Sequence, residues 1–214
     1  VFIRLSKSIR SLKKEGFRFV YVLDSQEAID QAEVIRTKLW NNKKELHGPF
    51  DIIGDVHGCL AELKLLLDQL GYVPDPDGIY VHPQGRMAAF LGDLCDRGAE
   101  NTGVLRLVMG MVSKGTALAV PGNHDVKLLK YLQGRRVQLN HGLEITAAQL
   151  DGESDAFRSQ VQQFLEGLVS HYVLDGGKLV IAHAGIKEQY IGRGSGRIRD
   201  FCLYGDVTSS VIST

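Results

Sequence analysis

Apolar and polar positions follow two kinds of pattern along the chain, and each predicts a different element. Short apolar runs typical of buried strands occur at residues 50–53, 86–93, 116–123 and 178–185. Residues 59–71 carry leucines at helical spacing, and residues 101–115 repeat that helical pattern. A mostly helical stretch is predicted from about residue 124 to residue 170. Strands alternating with helices predict an α/β domain, in which ligands bind beyond the carboxyl ends of the strands.

The beginning of the chain has a separate pattern that contains no chemical motif. Residues 2–14 predict a basic amphipathic helix, and residues 17–23 predict a strand. Asp24 with Glu27 resembles a capping box and predicts a second helix that continues to about residue 40.

These patterns suggest a division of the chain into three parts. We expect residues 1–40 to be the tail of a preceding domain, residues 41–49 to be a polar linker, and residues 50–214 to form the α/β domain. Because the chain begins with Val1, we expect it to be a piece of a longer protein, with the domain truncated at its carboxyl terminus.

Composition narrows the classes of partner and compartment. The 25 basic and 25 acidic residues cancel, so no overall field draws the chain to nucleic acid or to a membrane. Three cysteines without a CxxC pair argue against a disulfide framework and a zinc knuckle. The sequence has no membrane-length apolar run and no visible signal peptide. Together these features predict a cytoplasmic protein with no membrane partner.

Four glycine-flanked polar motifs follow the predicted strands: GDVHG at 54–58, GDLCDRG at 92–98, GNHD at 122–125 and HAG at 183–185. In the first, Asp55 and His57 are two positions apart at the end of an extended segment, so both side chains can reach one point. A carboxylate and an imidazole that converge in this way suit a divalent cation. For this motif alone, a satisfied hydrogen bond between the two side chains at a turn is an equal alternative.

In this order, the four motifs resemble those of the calcineurin-like binuclear metallophosphoesterases over roughly residues 50–186. The resemblance implies a hydrolase of phosphate esters whose central β-sandwich of two mixed sheets is flanked by helices, with the site at the carboxyl ends of the strands. It also implies two divalent metal ions, with Mn²⁺ favoured and Ni²⁺ or another transition metal as alternatives. The implied metal ligands are Asp55, His57, Asp93, Asn123 and His183, with Asp93 bridging the two metals.

The resemblance also implies roles for residues beside the metals. His124 would donate a proton to the leaving group, and Asp96 would orient its imidazole. Arg97 would bind the oxygens of the phosphate. His141 and Arg197 are further candidates for contact with substrate, because both lie in polar, arginine-containing segments.

The chain departs from the family pattern at one point. The family supplies a further ligand to the second metal from a later Gly-His motif, and no histidine follows His183. The sequence therefore leaves two alternatives open, a chain that stops before this element and a more weakly held second metal.

Longer runs resemble one branch of this family, the bacterial polynucleotide kinase-phosphatases. The runs are RTKLWNNKKELHGPFDIIGDVHGC, GVLRLVMGMVSKGTALAVPGNHDVKLLKYLQGRRVQLNHGLEIT, SHYVLDGGKLVIAHAG and SGRIRDFCLYGDVT. This resemblance implies removal of 2′-phosphate, 3′-phosphate or 2′,3′-cyclic phosphate from RNA 3′ ends during RNA repair. It also implies kinase and adenylyltransferase domains on the full-length chain, an RNA repair partner and a possible homodimer.

The same motifs are compatible with two other functions. The first is a diadenosine tetraphosphatase or a protein Ser/Thr phosphatase, which share the four motifs and differ in substrate. The second is a non-catalytic scaffold module that retains a degenerate metal site.

Overall fold

The computed structural model describes residues 21–33, 35 and 37–206. The predicted α/β organisation is confirmed in this part of the chain, where each of three parallel strands is followed by a helix. The predicted basic helix at 2–14 lies outside the described residues. No helix in the described ranges is both long and apolar enough to cross a membrane.

A three-stranded parallel sheet forms the centre of the domain. Its strands are β1 (Phe50–Ile53), β4 (Met87–Phe90) and β5 (Ala117–Ala119), in the spatial order β1-β4-β5. Between β1 and β4 the chain forms α2 (Leu60–Gln69) and a hairpin of β2 (Val73–Pro74) and β3 (Tyr80–Val81). The hairpin encloses residues 74–78, whose sequence PDPDG is rich in residues that favour turns.

Successive residues of β4 face two different apolar layers, as the period of two in a strand requires. Ala88 and Phe90 are fully buried against the helices, whereas Ala89 is fully buried in a second cluster on the opposite face of the sheet. This alternation places the sheet between a helical layer and a second layer of strands.

Helices cover the first face of the sheet. They are α2 together with α3 (Asn101–Lys114), α4 (Asn123–Leu132), α5 (Leu143–Asp151) and α6 (Asp155–Gly167). Their apolar faces meet in the larger core, where α3 contributes Val104, Val108 and Met111. Helix α3 ends at Gly115, whose φ of 78° is in the left-handed region that glycine adopts without strain.

Two antiparallel strands, β6 (His171–Leu174) and β7 (Leu179–Ala182), cover the second face. Leu174 and Ile181 from this pair pack with Ala89 and Val120 from the parallel sheet. Two short 3₁₀ turns, Asp175–Gly177 and Glu188–Tyr190, and helix α7 (Gly196–Tyr204) complete the described chain. The expected sandwich thus consists here of one parallel sheet facing an antiparallel pair.

The segment before residue 41 differs from the sequence prediction. The predicted long helix from Asp24 is only one short helix, α1 (Gln26–Asp30), and the Oγ of Ser25 caps it by accepting from the backbone N–H of Ala28. Residues 21–24 have no regular secondary structure. Helix α1 buries none of its residues, so it lacks the tertiary packing that stabilises most protein helices.

Residues 41–43 are held against the second layer. The N–H of Lys43 donates to the carbonyl of Val173, and the N–H of Val173 donates to the carbonyl of Asn41. Asn42 forms a parallel bridge with Val173. Part of the segment expected to be a linker therefore adds one isolated parallel bridge to the β6–β7 pair.

Candidate metal centre and active site

Four loops meet where the strands of the two layers end. Asp55 and His57 follow β1, Asp93 follows β4, Asn123 begins α4 just after β5, and His183 follows β7. The structure brings all five sequence-predicted metal ligands to this one edge. It also forms two groups of potential ligands that share Asp93, one with Asp55 and His183 and one with His57 and His124.

Asp93 lies between two histidines and faces each with a different oxygen. Its Oδ2 is 3.7 Å from the Nε2 of His57, and its Oδ1 is 3.7 Å from the Nε2 of His183. Two atoms that each bind a cation at about 2.1 Å are at most about 4.2 Å apart, so each pair can share one cation. The carboxylate of Asp93 can therefore bridge two cations.

The free nitrogen of His57 fits a metal ligand. Its Nδ1 is 3.0 Å from the carbonyl oxygen of Cys95, so the Nδ1–H donates to that carbonyl and the Nε2 carries the lone pair. The Nε2 is buried and has no hydrogen-bond partner within the described residues. It lies 3.7 Å from the Oδ2 of Asp55. A buried acceptor beside carboxylate oxygens is satisfied by a cation.

His183 also fits a metal ligand, on the other side of Asp93. Its Nδ1 is 2.7 Å from the carbonyl oxygen of Leu91, so the Nδ1–H donates to that carbonyl and, in this tautomer, the Nε2 carries the lone pair. This Nε2 is 3.2 Å from the Oδ1 of Asn123. Two acceptors at this distance do not form a hydrogen bond with each other, but both can bind a cation. The donor set thus fits divalent metal ions on both sides of Asp93.

His124 is held by a buried chain of hydrogen bonds. Its Nδ1 donates to the Oδ2 of Asp96 at 2.6 Å, and the hydroxyl of Thr146 donates to the Oδ1 of Asp96, also at 2.6 Å. Asp96 and Thr146 are fully buried. The imidazole of His124 packs edge-on against that of His57, with ring centroids 4.9 Å apart. The chain therefore fixes the orientation of His124 beside the candidate metal ligands.

Arg97 lies beside His124 at the open side of the site. Its Nη2 is 3.4 Å from the Nε2 of His124, and the residue is exposed. An exposed guanidinium at this position offers several N–H donors to an incoming anion.

Asp125 ties two of the loops together from below. Its Oδ2 accepts from the N–H of Gly122 at 2.8 Å, and its Oδ1 accepts from the N–H of Leu94 at 3.0 Å. Burial raises the pKa of Asp125 to about 6. The carboxyl group thus fixes the loop after β4 against the start of α4.

The loops carry unusual backbone angles where the site residues lie. The φ angles of His57, Asp93, Asp96 and Arg97 are 47°, 49°, 74° and 66°. Such left-handed conformations strain residues that have a Cβ, and they concentrate at functional sites.

Gly122 permits the close approach of two of these loops. A Cβ at this position would lie 2.0 Å from the Oδ1 of Asp93 and 2.3 Å from its backbone nitrogen. Only glycine therefore fits between β5 and the loop that carries Asp93.

The two further substrate candidates are not among the groups that converge on Asp93. His141 is exposed with a φ of 60°, and the next residue, Gly142, packs so closely on Arg97 that a Cβ would lie 2.1 Å from its backbone nitrogen. Arg197 is exposed in the first turn of α7. Neither side chain has a hydrogen bond to the site in the described part of the chain.

Sequence reasoning missed two supporting residues. Asp125 belongs to the GNHD motif, and its position in the first turn of a helix after Gly122 is a signal for capping. Thr146 lies 50 residues from Asp96 along the chain, and no local pattern connects them. Only the packing of α5 against the loop after β4 brings these two residues together.

Comparison with known proteins identifies the family of this fold. Residues 48–209 match the family described as calcineurin-like phosphoesterase. The fold of a cold-active protein-tyrosine phosphatase from a psychrophile Shewanella sp. is similar, with a TM-score of 0.52 over 72% of this chain and 46% of that one, at 18% identity. These findings confirm the expected fold class and the expected hydrolase.

Two curated relatives carry the name bis(5′-nucleosyl)-tetraphosphatase PrpE [asymmetrical]. The relative from Halalkalibacterium halodurans is 50% identical and that from Bacillus subtilis is 46% identical, each over 163 residues. In both cases the match covers 74% of this chain and 66% of the relative. The chain thus spans slightly less than two thirds of the length of these relatives.

These relatives correct the choice of branch made from the sequence. The resemblance to polynucleotide kinase-phosphatases was wrong, because the curated relatives that match most of the chain are named as tetraphosphatases of dinucleotides. The predictions that depended on this resemblance are wrong as well. They are action on RNA 3′ ends in RNA repair and the kinase and adenylyltransferase partners. The four motifs are shared by both branches, so they did not discriminate between them.

Proposed function

The chain belongs to the calcineurin-like phosphoesterase family, and on that basis we propose that it hydrolyses bis(5′-nucleosyl) tetraphosphates asymmetrically at a two-metal centre. Asymmetric cleavage divides the four bridging phosphates into one and three, which gives a nucleoside monophosphate and a nucleoside triphosphate.

The two-metal proposal rests on the position of the Asp93 carboxylate. The two oxygens of Asp93 face different histidines, each at 3.7 Å. A carboxylate in this position brings negative charge between two cations that would otherwise repel each other. A site for a single metal would not require both oxygens to face separate ligand sets.

The donor sets assign ligands to each metal. We assign Asp55, His57 and Asp93 to one metal, and Asp93, Asn123 and His183 to the other. Mn²⁺ suits these mixed oxygen and nitrogen ligands. Two carboxylates against two dications leave a net positive site, which favours a polyphosphate chain. When bound, the cations neutralise phosphate charge and lower the pKa of water.

The chain's own residues supply binding and proton transfer. Arg97 donates hydrogen bonds to the non-bridging oxygens of the phosphate that reacts. His124 donates a proton from its Nε2 to the bridging oxygen that leaves as the P–O bond breaks. Asp96, which accepts from the Nδ1 of His124 at 2.6 Å, stabilises the charged imidazolium before this transfer.

The printed name of the relatives supports the choice of substrate. They are 39–50% identical to this chain over 162 to 164 residues. The fold and the metal ligands alone also fit phosphatases that act on proteins. A direct comparison of a dinucleotide with a phosphopeptide therefore decides the substrate class.

The test is a comparison of three substrates with Mn²⁺ present: diadenosine tetraphosphate, a phosphoserine peptide and p-nitrophenyl phosphate. We expect the highest kcat/KM with the dinucleotide. A higher kcat/KM with the peptide would overturn the choice of substrate class. A reaction that persists unchanged after removal of the metal by a chelator would overturn the metal-dependent mechanism.

A further inference from the structure

A second concave site lies near the start of β6. It is a cavity of about 430 Å³ between the segment before β6, the start of α7 and the short segment at residues 40–41. This volume is within the range of pockets that bind small molecules. We call it the Trp40 pocket, and the lining residues used below are Trp40, Asn41, Ser170, Gly194 and Arg199.

The Trp40 pocket opens at the same edge of the second layer as the metal ligand His183. Strand β7 ends at Ala182, which pairs with His171 at the start of antiparallel β6. Asn42 pairs in parallel with β6, so Trp40 and Asn41 lie at the starting edge of that strand. Neighbouring strands are about 4.8 Å apart, so residues 41–43 lie about 10 Å from β7.

Trp40 gives the pocket an aromatic surface that solvent can reach. The side chain is 61% exposed, although tryptophan usually buries most of its surface. A Cβ on Gly194 would lie 3.4 Å from the indole, so the ring packs against this glycine's backbone. An exposed indole at the border of a cavity is a stacking surface for a planar ring such as a nucleobase.

Two polar groups complete the match to a nucleotide. The guanidinium of Arg199 is partly buried and donates to the carbonyl of Leu168 at 2.9 Å, and no carboxylate of the described chain forms an ion pair with it. Asn41 is buried, and its Nδ2 donates to the Nε2 of His171 and to the carbonyl of Arg193. The Oδ1 of Asn41 accepts no hydrogen bond from any described residue. The pocket therefore offers the cation of Arg199 and an acceptor on Asn41, beside the carboxylate of Glu166, which accepts from Gln133 and Gln162.

We propose that the Trp40 pocket binds one nucleoside of a nucleotide substrate, with an amino-bearing base such as adenine stacked on Trp40 and its phosphates at Arg199. The Oδ1 of Asn41 is itself buried, so the Asn41 side chain turns toward the base to accept from the exocyclic amino group, the donor that this oxygen lacks. This inference rests on the proposed function, because it assigns the pocket to one end of the same dinucleotide. Trp40 and Asn41 lie before the residues 48–209 that match the family.

Fluorescence of Trp40, the single tryptophan in the sequence, tests the inference directly. The titration uses adenosine, inosine and AMP in the presence of a chelator, so that neither hydrolysis nor the metal centre contributes. We expect saturable quenching by adenosine and AMP, and at least about tenfold weaker binding of inosine, which presents a carbonyl in place of the amino group. Absence of saturable quenching, or equal affinity for adenosine and inosine, would overturn the inference.

Two variants separate the roles of the ring and the charge. Arg199→Gln should weaken AMP about tenfold while leaving adenosine within about twofold, and equal loss for both would contradict the role of Arg199. Trp40→Ala should raise the KM for diadenosine tetraphosphate about tenfold or more, whereas Trp40→Phe should restore it. Neither Trp40 variant should change kcat/KM for p-nitrophenyl phosphate, which has no nucleoside. Adenosine binding without dinucleotide hydrolysis would leave the pocket supported and refute the proposed function alone.

Discussion

At the scale of single residues, Asp93 has a buried carboxylate that needs bound cations to compensate its charge. Its carboxylate is nearly buried, with 3% of the residue exposed, and it lies beside the carboxylate of Asp55 and the imidazoles of His57 and His183. The N–H of His124 donates to its Oδ1 at 3.0 Å, which compensates only part of the charge. A buried carboxylate with so few donors is stable when cations occupy the site.

Substitution of Gly122 tests how closely the loops must approach. In Gly122→Ala, the added Cβ would overlap backbone and side-chain atoms of Asp93, the nearest of them 2.0 Å away. We expect a loss of about 1–3 kcal/mol in the free energy of unfolding, measured by chemical denaturation. Gly54→Ala is the matched control, because its Cβ would have no neighbour within 4 Å and should change stability by less than about 0.5 kcal/mol. Equal effects of the two substitutions would contradict the packing described.

Thr146 is expected to position the proton donor through Asp96. Thr146→Val removes the hydroxyl that donates to the Oδ1 of Asp96 at 2.6 Å while keeping the shape of the side chain. We expect about a tenfold loss in kcat with phenyl phosphate, because its basic leaving group needs a proton from His124. With p-nitrophenyl phosphate the loss should be smaller, and Thr146→Ser should restore the rate. A loss that is the same for both substrates would show that Thr146 has only a structural role.

At the scale of elements, His171 joins β6 to two segments outside the sheet. Its Nε2 accepts from the Nδ2 of Asn41 and from the N–H of Gly192, both at 3.0 Å, and its Nδ1 donates to the Oγ of Ser170. The residue is fully buried. Protonation would place an N–H against two N–H donors, so this junction depends on a neutral ring.

The pH dependence of stability should report this junction. Burial lowers the pKa of His171 below its usual value of 6.5, so the unfolded chain binds more protons than the folded one as the pH falls through 6.5. The free energy of unfolding should therefore decrease as the pH falls below 6.5. Denaturation of the wild type and of His171→Gln between pH 7.5 and about 5.5 is the measurement, and the variant should have the weaker dependence. Identical pH profiles would contradict a neutral, buried His171.

The elements also show which parts of the fold the sequence alone predicts. Strands such as β1 and β7 were predicted because short apolar runs end in glycine-flanked polar residues, and both features depend on local sequence. The helix predicted from Asp24 to about residue 40 was wrong, because its spacing carried no information about whether a core would cover it. The contact between Thr146 and Asp96 could not be predicted, because it depends on how α5 packs. The choice of phosphatase branch failed because motif residues specify metal binding, while substrate depends on the surrounding surface.

At the scale of the whole molecule, the candidate metal ligands join the two layers of the fold. Asp55, Asp93 and Asn123 extend from the parallel sheet, whereas His183 extends from the antiparallel pair. Apart from this edge, the layers meet in a small apolar cluster around Ala89 and Ile181. A cation bound by both layers should therefore stabilise the packing of one on the other.

Metal binding should raise the stability of the entire domain. At a free Mn²⁺ concentration one hundred times the Kd, one bound ion adds about 2.7 kcal/mol to the free energy of unfolding. We expect thermal denaturation to shift upward with added Mn²⁺ and to return after addition of a chelator. Asp93→Asn should abolish the shift, whereas Asp206→Asn, at an exposed carboxylate paired with Lys187, should retain it. A shift of the same size in Asp93→Asn would contradict the assigned ligands.

The most direct test of the central claim is the identity of the products formed from diadenosine tetraphosphate by the wild type and by Asp93→Asn. Chromatography of the reaction with Mn²⁺ should show AMP and ATP in equal amounts and no ADP. Because loss of a residue that only supports a metal ligand costs about 10–100-fold, loss of the bridging ligand itself should cost more than about 100-fold. Two molecules of ADP per substrate would contradict asymmetric cleavage, and turnover close to that of the wild type in Asp93→Asn would contradict the two-metal centre.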